Sequence, residues 1–139
     1  MKHILITIAA VLLVGCGKPS SLTIKPLTQN DIILLEAVKE NNLDAVKKAI
    51  TDGADINAAE DNSLRAGYDF RNTALILSID RGRTEITKFL ISSGADVNKR
   101  GSRGGTPLDS AKLFNRTESI ELLLKHGAKT SVELKAAGK

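Results

Sequence analysis

The chain has 139 residues, 42% of them hydrophobic and 26% charged, which suits one modest globular domain and excludes a disordered low-complexity polymer. Its formal net charge of +4 is uneven: residues 99–139 carry nine Lys/Arg against four Asp/Glu, whereas residues 17–98 carry ten against twelve. A single cysteine excludes an internal disulfide framework, and no His/Cys/Asp cluster has metal-ligand spacing, so neither a metal nor another cofactor is expected.

Residues 1–15 open with Lys2-His3, continue through an apolar run from Ile4 to Val14, and end on Gly15 against Cys16. The run is about 11 residues long, whereas a helix crossing a bilayer core needs roughly 20, so the segment reads as a cleavable secretory signal. Leu13-Val14-Gly15-Cys16 resembles the lipobox of bacterial lipoproteins. That resemblance implies cleavage before Cys16 and acylation of its thiol and new amine; two or three acyl chains anchor stably where one binds only marginally. Gly17 stands where an Asp resembles an inner-membrane retention signal. The periplasmic face of the outer membrane is therefore expected, with the inner membrane or a Gram-positive cell surface as alternatives.

Residues 16–27 contain two of the three prolines and no period, as a tether would; a coil of this length spans on the order of 20 Å. From Thr28 the pattern turns helical, with a capping-box-like Thr28-Gln29-Asn30-Asp31 ahead of Ile32, Ile33, Leu34 and Leu35. Beyond it the chain repeats. Gly53-Ala54-Asp55-Ile56-Asn57 recurs as Gly94-Ala95-Asp96-Val97-Asn98 and, weakened, as Gly127-Ala128-Lys129. The later two glycines are 33 residues apart, as are Thr73 and Thr106, which open Thr73-Ala74-Leu75 and Thr106-Pro107-Leu108-Asp109-Ser110-Ala111. A 33-residue period with this helix start resembles the ankyrin repeat over about residues 28–130. The resemblance implies an all-α solenoid of about three helix-turn-helix repeats at 28–57, 58–98 and 99–130, closed by a short C-terminal cap or tail at 131–139.

Each motif residue has a local purpose. Thr73 and Thr106 suit N-cap positions, and Pro107 suits the first helical position, where a missing N–H costs nothing. Asn41, Gly82 and Asn115 stand where the first helix of each pair must stop in a left-handed turn; Gly53, Gly94 and Gly127 end the second helices. Helical spacing assigns Ala45, Val46, Ala49 and Ile50, then Ile86, Leu90 and Ile91, then Ile120, Leu123 and Leu124 to the buried faces of those second helices. The first repeat resembles the N-terminal cap of ankyrin domains. His126, at the end of a second helix, suits a helix terminus rather than catalysis.

Several residues depart from the family pattern. The histidine usual after Thr-Pro-Leu is replaced by Leu35, Ile76 and Asp109, which predicts loss of a hydrogen-bond link between repeats. The acidic residue usual in the connecting turn is Gly101, which makes Lys99 to Gly105 a basic, flexible finger. Between the first two repeats the glycines stand 41 apart, eight beyond the period, and the surplus falls between Asn57 and Thr73. This enlarged finger holds Tyr68 and Phe70 flanked by Arg65 and Arg71. Insertions in solenoids fall in loops, often on the binding face, yet the two rings could equally fold back to plug the stack.

The resemblance further implies a partner on the concave face, made by the fingers and the exposed ends of the first helices. Mapped onto this chain, the candidate partner-binding residues are Arg65, Tyr68, Phe70, Arg71, Asp80, Arg81, Arg100, Arg103, Leu113 and Phe114, with Cys16 as the lipidation site. Phe114 reads as an exposed anchor or as a ring covered by the tail. No catalytic residue is expected. Three functions fit: a non-catalytic, monomeric protein-binding module held in the envelope, which takes another exported protein and no nucleic acid; an immunity protein neutralising an envelope-active toxin; or a basic structural module docking on anionic lipid or cell wall.

Overall fold

A computed structural model describes residues 25–60 and 71–138. Seven helices follow one another, with no strand among the described residues: α1 (Gln29–Lys39), α2 (Leu43–Thr51), α3 (Ala74–Asp80), α4 (Thr84–Ser92), α5 (Pro107–Leu113), α6 (Thr117–Lys125) and α7 (Ser131–Ala136). They pair as α1·α2, α3·α4 and α5·α6, and the pairs stack so that α1, α3 and α5 form an inner row and α2, α4 and α6 an outer one. This is the all-α solenoid of paired helices that the resemblance to the ankyrin repeat implies. The segment read as a signal peptide, Cys16, the residues up to 24 read as a tether, and residues 61–70 of the enlarged finger lie outside the described residues.

A threonine starts every inner helix and α7. The side chains of Thr28, Thr73, Thr106 and Thr130 accept from the backbone N–H of Asp31, Ile76, Asp109 and Glu133, and the three acids return a bond to the threonine's own N–H. Such a cap satisfies donors that the helix itself leaves unpaired. In the first repeat the cap lies one turn upstream of its place in the others, because α1 has 11 residues where α3 and α5 have seven. Asn41, Gly82 and Asn115 end the inner helices at φ 60°, 66° and 52°. After each outer helix, Ala54, Ala95 and Ala128 donate back to the carbonyls of Ala49, Leu90 and Leu123, a Schellman closure that a following left-handed glycine permits.

The core runs continuously through the stack. Leu34, Val38, Leu75, Ile79 and Leu108 from the inner row meet Val46, Ile86, Leu90 and Leu123 from the outer row. Leu124 departs from its expected place in this core. It is 54% exposed, while its neighbour Leu123 is fully buried. Helical spacing puts both near one face, but only Leu123 points at a packed neighbour.

Two sets of side chains stitch one repeat to the next. Arg83 and Arg116 occupy the N-cap positions of α4 and α6 without capping them. Instead they reach back to the carbonyls that end the preceding inner helix: Arg83 Nη2 to Lys39 O at 3.2 Å, Arg116 Nε to Ile79 O and Nη2 to Asp80 O, both at 3.3 Å. A cation at a helix C-terminus also opposes the negative end of the dipole. In the fingers, Asn57 Oδ1 accepts from Asp96 N–H at 2.8 Å and Asn98 Oδ1 from Lys129 N–H at 2.7 Å. The outer row has lighter links, an exposed Lys88–Glu118 ion pair and Lys47 Nζ 5.9 Å from the Phe89 ring centre.

The expected loss of a link at Asp109 is not seen. Asp109 Oδ2 accepts from Thr106 N–H and Oγ1 and also from Ser131 N–H at 2.9 Å, tying α5 to α7. A carboxylate reaches the same kind of distant donor that an imidazole would. Asp31 Oδ1 likewise accepts from Asp55 N–H at 2.7 Å, tying α1 to the finger after α2. Burial pushes both carboxyls upward, but the N–H groups of Thr28 and Asp55, and of Thr106 and Ser131, together with the threonine hydroxyls, outweigh it and hold them below the ordinary Asp range. Carboxyls depressed in the fold stabilise it above the unfolded value of about 3.9 and lose that contribution as pH falls through the folded value. Acid titration of stability should therefore show a loss that begins below about pH 4, and Asp109→Ala should lower stability at neutral pH by roughly 1–2 kcal/mol and flatten the acid limb. Urea melts at a series of pH values check both.

Candidate partner-binding groove

The concave side carries a groove of about 460 Å3 between α3, α5 and the finger that precedes α5. Asn72, Ile76 and Asp80 line it from the second repeat, Ser110, Leu113 and Phe114 from α5 and its end, and Ser102 and Arg103 from the finger. Leu113 is 75% and Phe114 44% exposed. Two large apolar side chains thus stand open beside a cavity.

The finger wall is held by its own bonds. Gly101 N–H donates to Gly105 O at 2.8 Å, and a 3-10 turn over Ser102–Gly104 closes the tip. The glycine-rich stretch from 99 to 105 is therefore a stitched turn rather than the loose one its composition suggests. Arg103 sits in the left-handed region at φ 56°, a conformation that costs a non-glycine residue roughly 1–2 kcal/mol and turns its side chain onto the groove rim. Asn72 joins the two walls, accepting from Ser102 N–H at 3.2 Å and donating to Asp80 Oδ2 at 3.4 Å.

Gly101 is the reason that the finger approaches so closely. A Cβ there would lie 2.6 Å from Ile76 Cδ1 and 2.9 Å from Asn72 Oδ1. Any side chain at this place would crowd Ile76 and Asn72, so the glycine and the isoleucine suit each other. Gly101→Ala is expected to lower stability by about 1–3 kcal/mol through overpacking, read as a drop in urea midpoint at unchanged slope.

Asp80 ends α3 and is half-buried, with one carboxylate oxygen, Oδ1, buried without a hydrogen-bond partner. Burial raises its carboxyl above the ordinary Asp value; the nearby Ser110 hydroxyl, Arg116 and Arg81 counter it only in part. Two of the Arg116 N–H groups donate to main-chain carbonyls.

Residues 34–133 match ankyrin repeats, in three copies. The chain belongs to the ankyrin-repeat family. It is 30% identical over 121 residues to an ankyrin repeat protein of Rickettsia bellii, covering 73% of this chain and 49% of that one. It is 33% identical over 91 residues to the mouse 2-5A-dependent ribonuclease, covering 66% of this chain and 11% of the enzyme. Against the mouse RelA-associated inhibitor it is 33% identical over 97 residues, 70% of this chain and 11% of that protein. The chain thus spans about half the length of the bacterial relative and about a tenth of the mouse ones, and what they share is the repeat unit. Ankyrin repeats are a protein–protein interaction module.

Within this ankyrin domain the structure brings together four of the candidate residues, Asp80, Arg103, Leu113 and Phe114, around one groove. Arg81, at the end of α3, is exposed and outside the groove lining, as is the half-buried Arg100 in the finger. Arg71 is half-buried, and Arg71, Arg100 and Arg103 all have interactions of their own. Cys16, Arg65, Tyr68 and Phe70 lie outside the described residues. Sequence reasoning missed Asn72 and Ser110. Asn72 directly precedes the N-cap Thr73, a place that the repeat period marks as the base of a finger. Among the described residues no group of His, Cys, Asp and Glu is arranged to hold a metal, and no helix is long and apolar enough to cross a membrane.

Proposed function

We propose that the protein is a non-catalytic binding module of the bacterial envelope, which holds another exported protein on the concave groove between α3, α5 and the third-repeat finger. The observation that carries this reading is the exposure of Leu113 and Phe114 together at that groove, since monomeric domains rarely leave neighbouring large apolar side chains open without a use for them. Family membership supports a protein partner. The lipobox-like Leu13-Val14-Gly15-Cys16 supports the location, with an acylated Cys16 anchoring the chain, by preference to the outer membrane. A stack without chemistry of its own acts through where it is held and what it holds there.

The test is capture of cross-linked partners from cells expressing the full chain. Leu113→Ser/Phe114→Ser should reduce recovery of the specific partner at least tenfold, and unchanged recovery would remove the groove from the interface. Cys16→Ser, followed by fractionation and metabolic labelling with a fatty-acid analogue, should abolish labelling and release the protein from membranes. Label retained on the Cys16→Ser chain would overturn the anchoring.

A further inference from the structure

Successive inner helices present a row of side chains to the concave face at matched positions, two residues before Asn41, Gly82 and Asn115: Lys39, Asp80 and Leu113. The row changes character along its length. Lys39 is neutralised by ion pairs to Glu36 and Glu60. Leu113 is open and apolar, with Phe114 beside it. Between them Asp80 carries a buried Oδ1 without a hydrogen-bond partner, while the other groove charges are committed: Asp109 to Thr106 and Ser131, and Arg103 to an interaction of its own.

Asp80 lines the groove as a half-buried carboxylate, one oxygen sealed from solvent and the other held by the Asn72 amide, so it is poorly compensated in the free domain and gains most when a ligand brings a cation along the groove. The apolar pair one helix further on asks for a bulky aliphatic or aromatic side chain. Packed helices stand about 8–10 Å apart and an extended chain advances about 3.3 Å per residue, so one segment reaches both subsites with residues about three apart. From this juxtaposition we infer that the groove selects an extended protein segment in which a Lys or Arg, bound at Asp80, is spaced about three residues from a large apolar residue, bound at Leu113 and Phe114.

This rests on the binding function proposed above and specifies its partner. The test is selection of a phage-displayed random peptide library on the full chain, then measurement of the enriched peptides by fluorescence polarisation against Asp80→Asn and Leu113→Ser/Phe114→Ser variants shown by thermal melting to remain folded. Enriched peptides should share a basic and an apolar residue at that spacing. Asp80→Asn should weaken them at least tenfold and abolish discrimination between Lys and Gln at the basic position, without changing discrimination at the apolar one. Enrichment without a basic residue, or peptides indifferent to Asp80→Asn yet lost on Leu113→Ser/Phe114→Ser, would overturn this specificity and leave the binding groove standing. Indifference to both changes, or no enrichment, would overturn both.

Discussion

Replacing Leu90 with alanine is expected to cost about 2–5 kcal/mol, the range for truncating a fully buried leucine, out of the roughly 5–15 kcal/mol that holds a small domain together. Leu90 is completely buried in α4, the outer helix of the middle repeat, which contacts both α2 and α6. In a solenoid each repeat touches only its neighbours, so a defect in the middle separates the ends from each other. The drop should appear as a lower urea midpoint by far-UV circular dichroism, together with a broader transition as the stack loses cooperativity. Leu124→Ala is the matched control. The same chemical change at a side chain 54% exposed should stay within about 0.5 kcal/mol of wild type. A large effect at Leu124, or a negligible one at Leu90, would contradict the assignment of which leucine of the outer row faces the core.

Arg116→Ala should rank next, at roughly 1.5–3 kcal/mol. Its guanidinium donates to two carbonyls at the end of α3, and hydrogen bonds from charged donors contribute more than neutral ones when partly buried. The loss has two parts, the bonds themselves and the opposition to the α3 dipole, and Arg116→Lys should restore only the second. Lysine should therefore recover less than half of the difference. Arg83→Ala removes one such bond, to Lys39 O, and should cost less. The two sites lie in different repeats, so the double variant should lose close to the sum; a clear departure would mean that the repeats respond as one body.

What could be read from the chain and what could not divide along the range of the interaction. Thr28, Thr73 and Thr106, with Gly53, Gly94 and Gly127, announce helix ends because capping involves partners within a turn, and the 33-residue recurrence of these signals settles the architecture. Arg83 and Arg116 recur at the same period, yet their purpose is invisible locally: their acceptors lie 44 and 37 residues back. Asp109 looked like a broken link because a missing histidine is easier to see than a Ser131 N–H placed to receive a carboxylate. Gly101 likewise looked like a gain of freedom, whereas its value is the space that it leaves for Ile76. At the groove, the exposure of Leu113 and Phe114 was foreseeable from their position in the repeat. The stranded oxygen of Asp80 was not, since it depends on how closely the next finger folds over α3.

The stitching between repeats is lopsided, and this gives the molecule a mechanical grain. At the helix turns and in the fingers, arginine and asparagine side chains fasten one repeat to the next through main-chain atoms. Along the outer edge the polar fastenings are a solvent-exposed ion pair and a lysine over a ring, both soft and the former weakened by salt. Bending of the stack is therefore expected to part the outer helices before it disturbs the turns and fingers, so that the spacing between Asp80 and Leu113 is better kept than that between the outer helices.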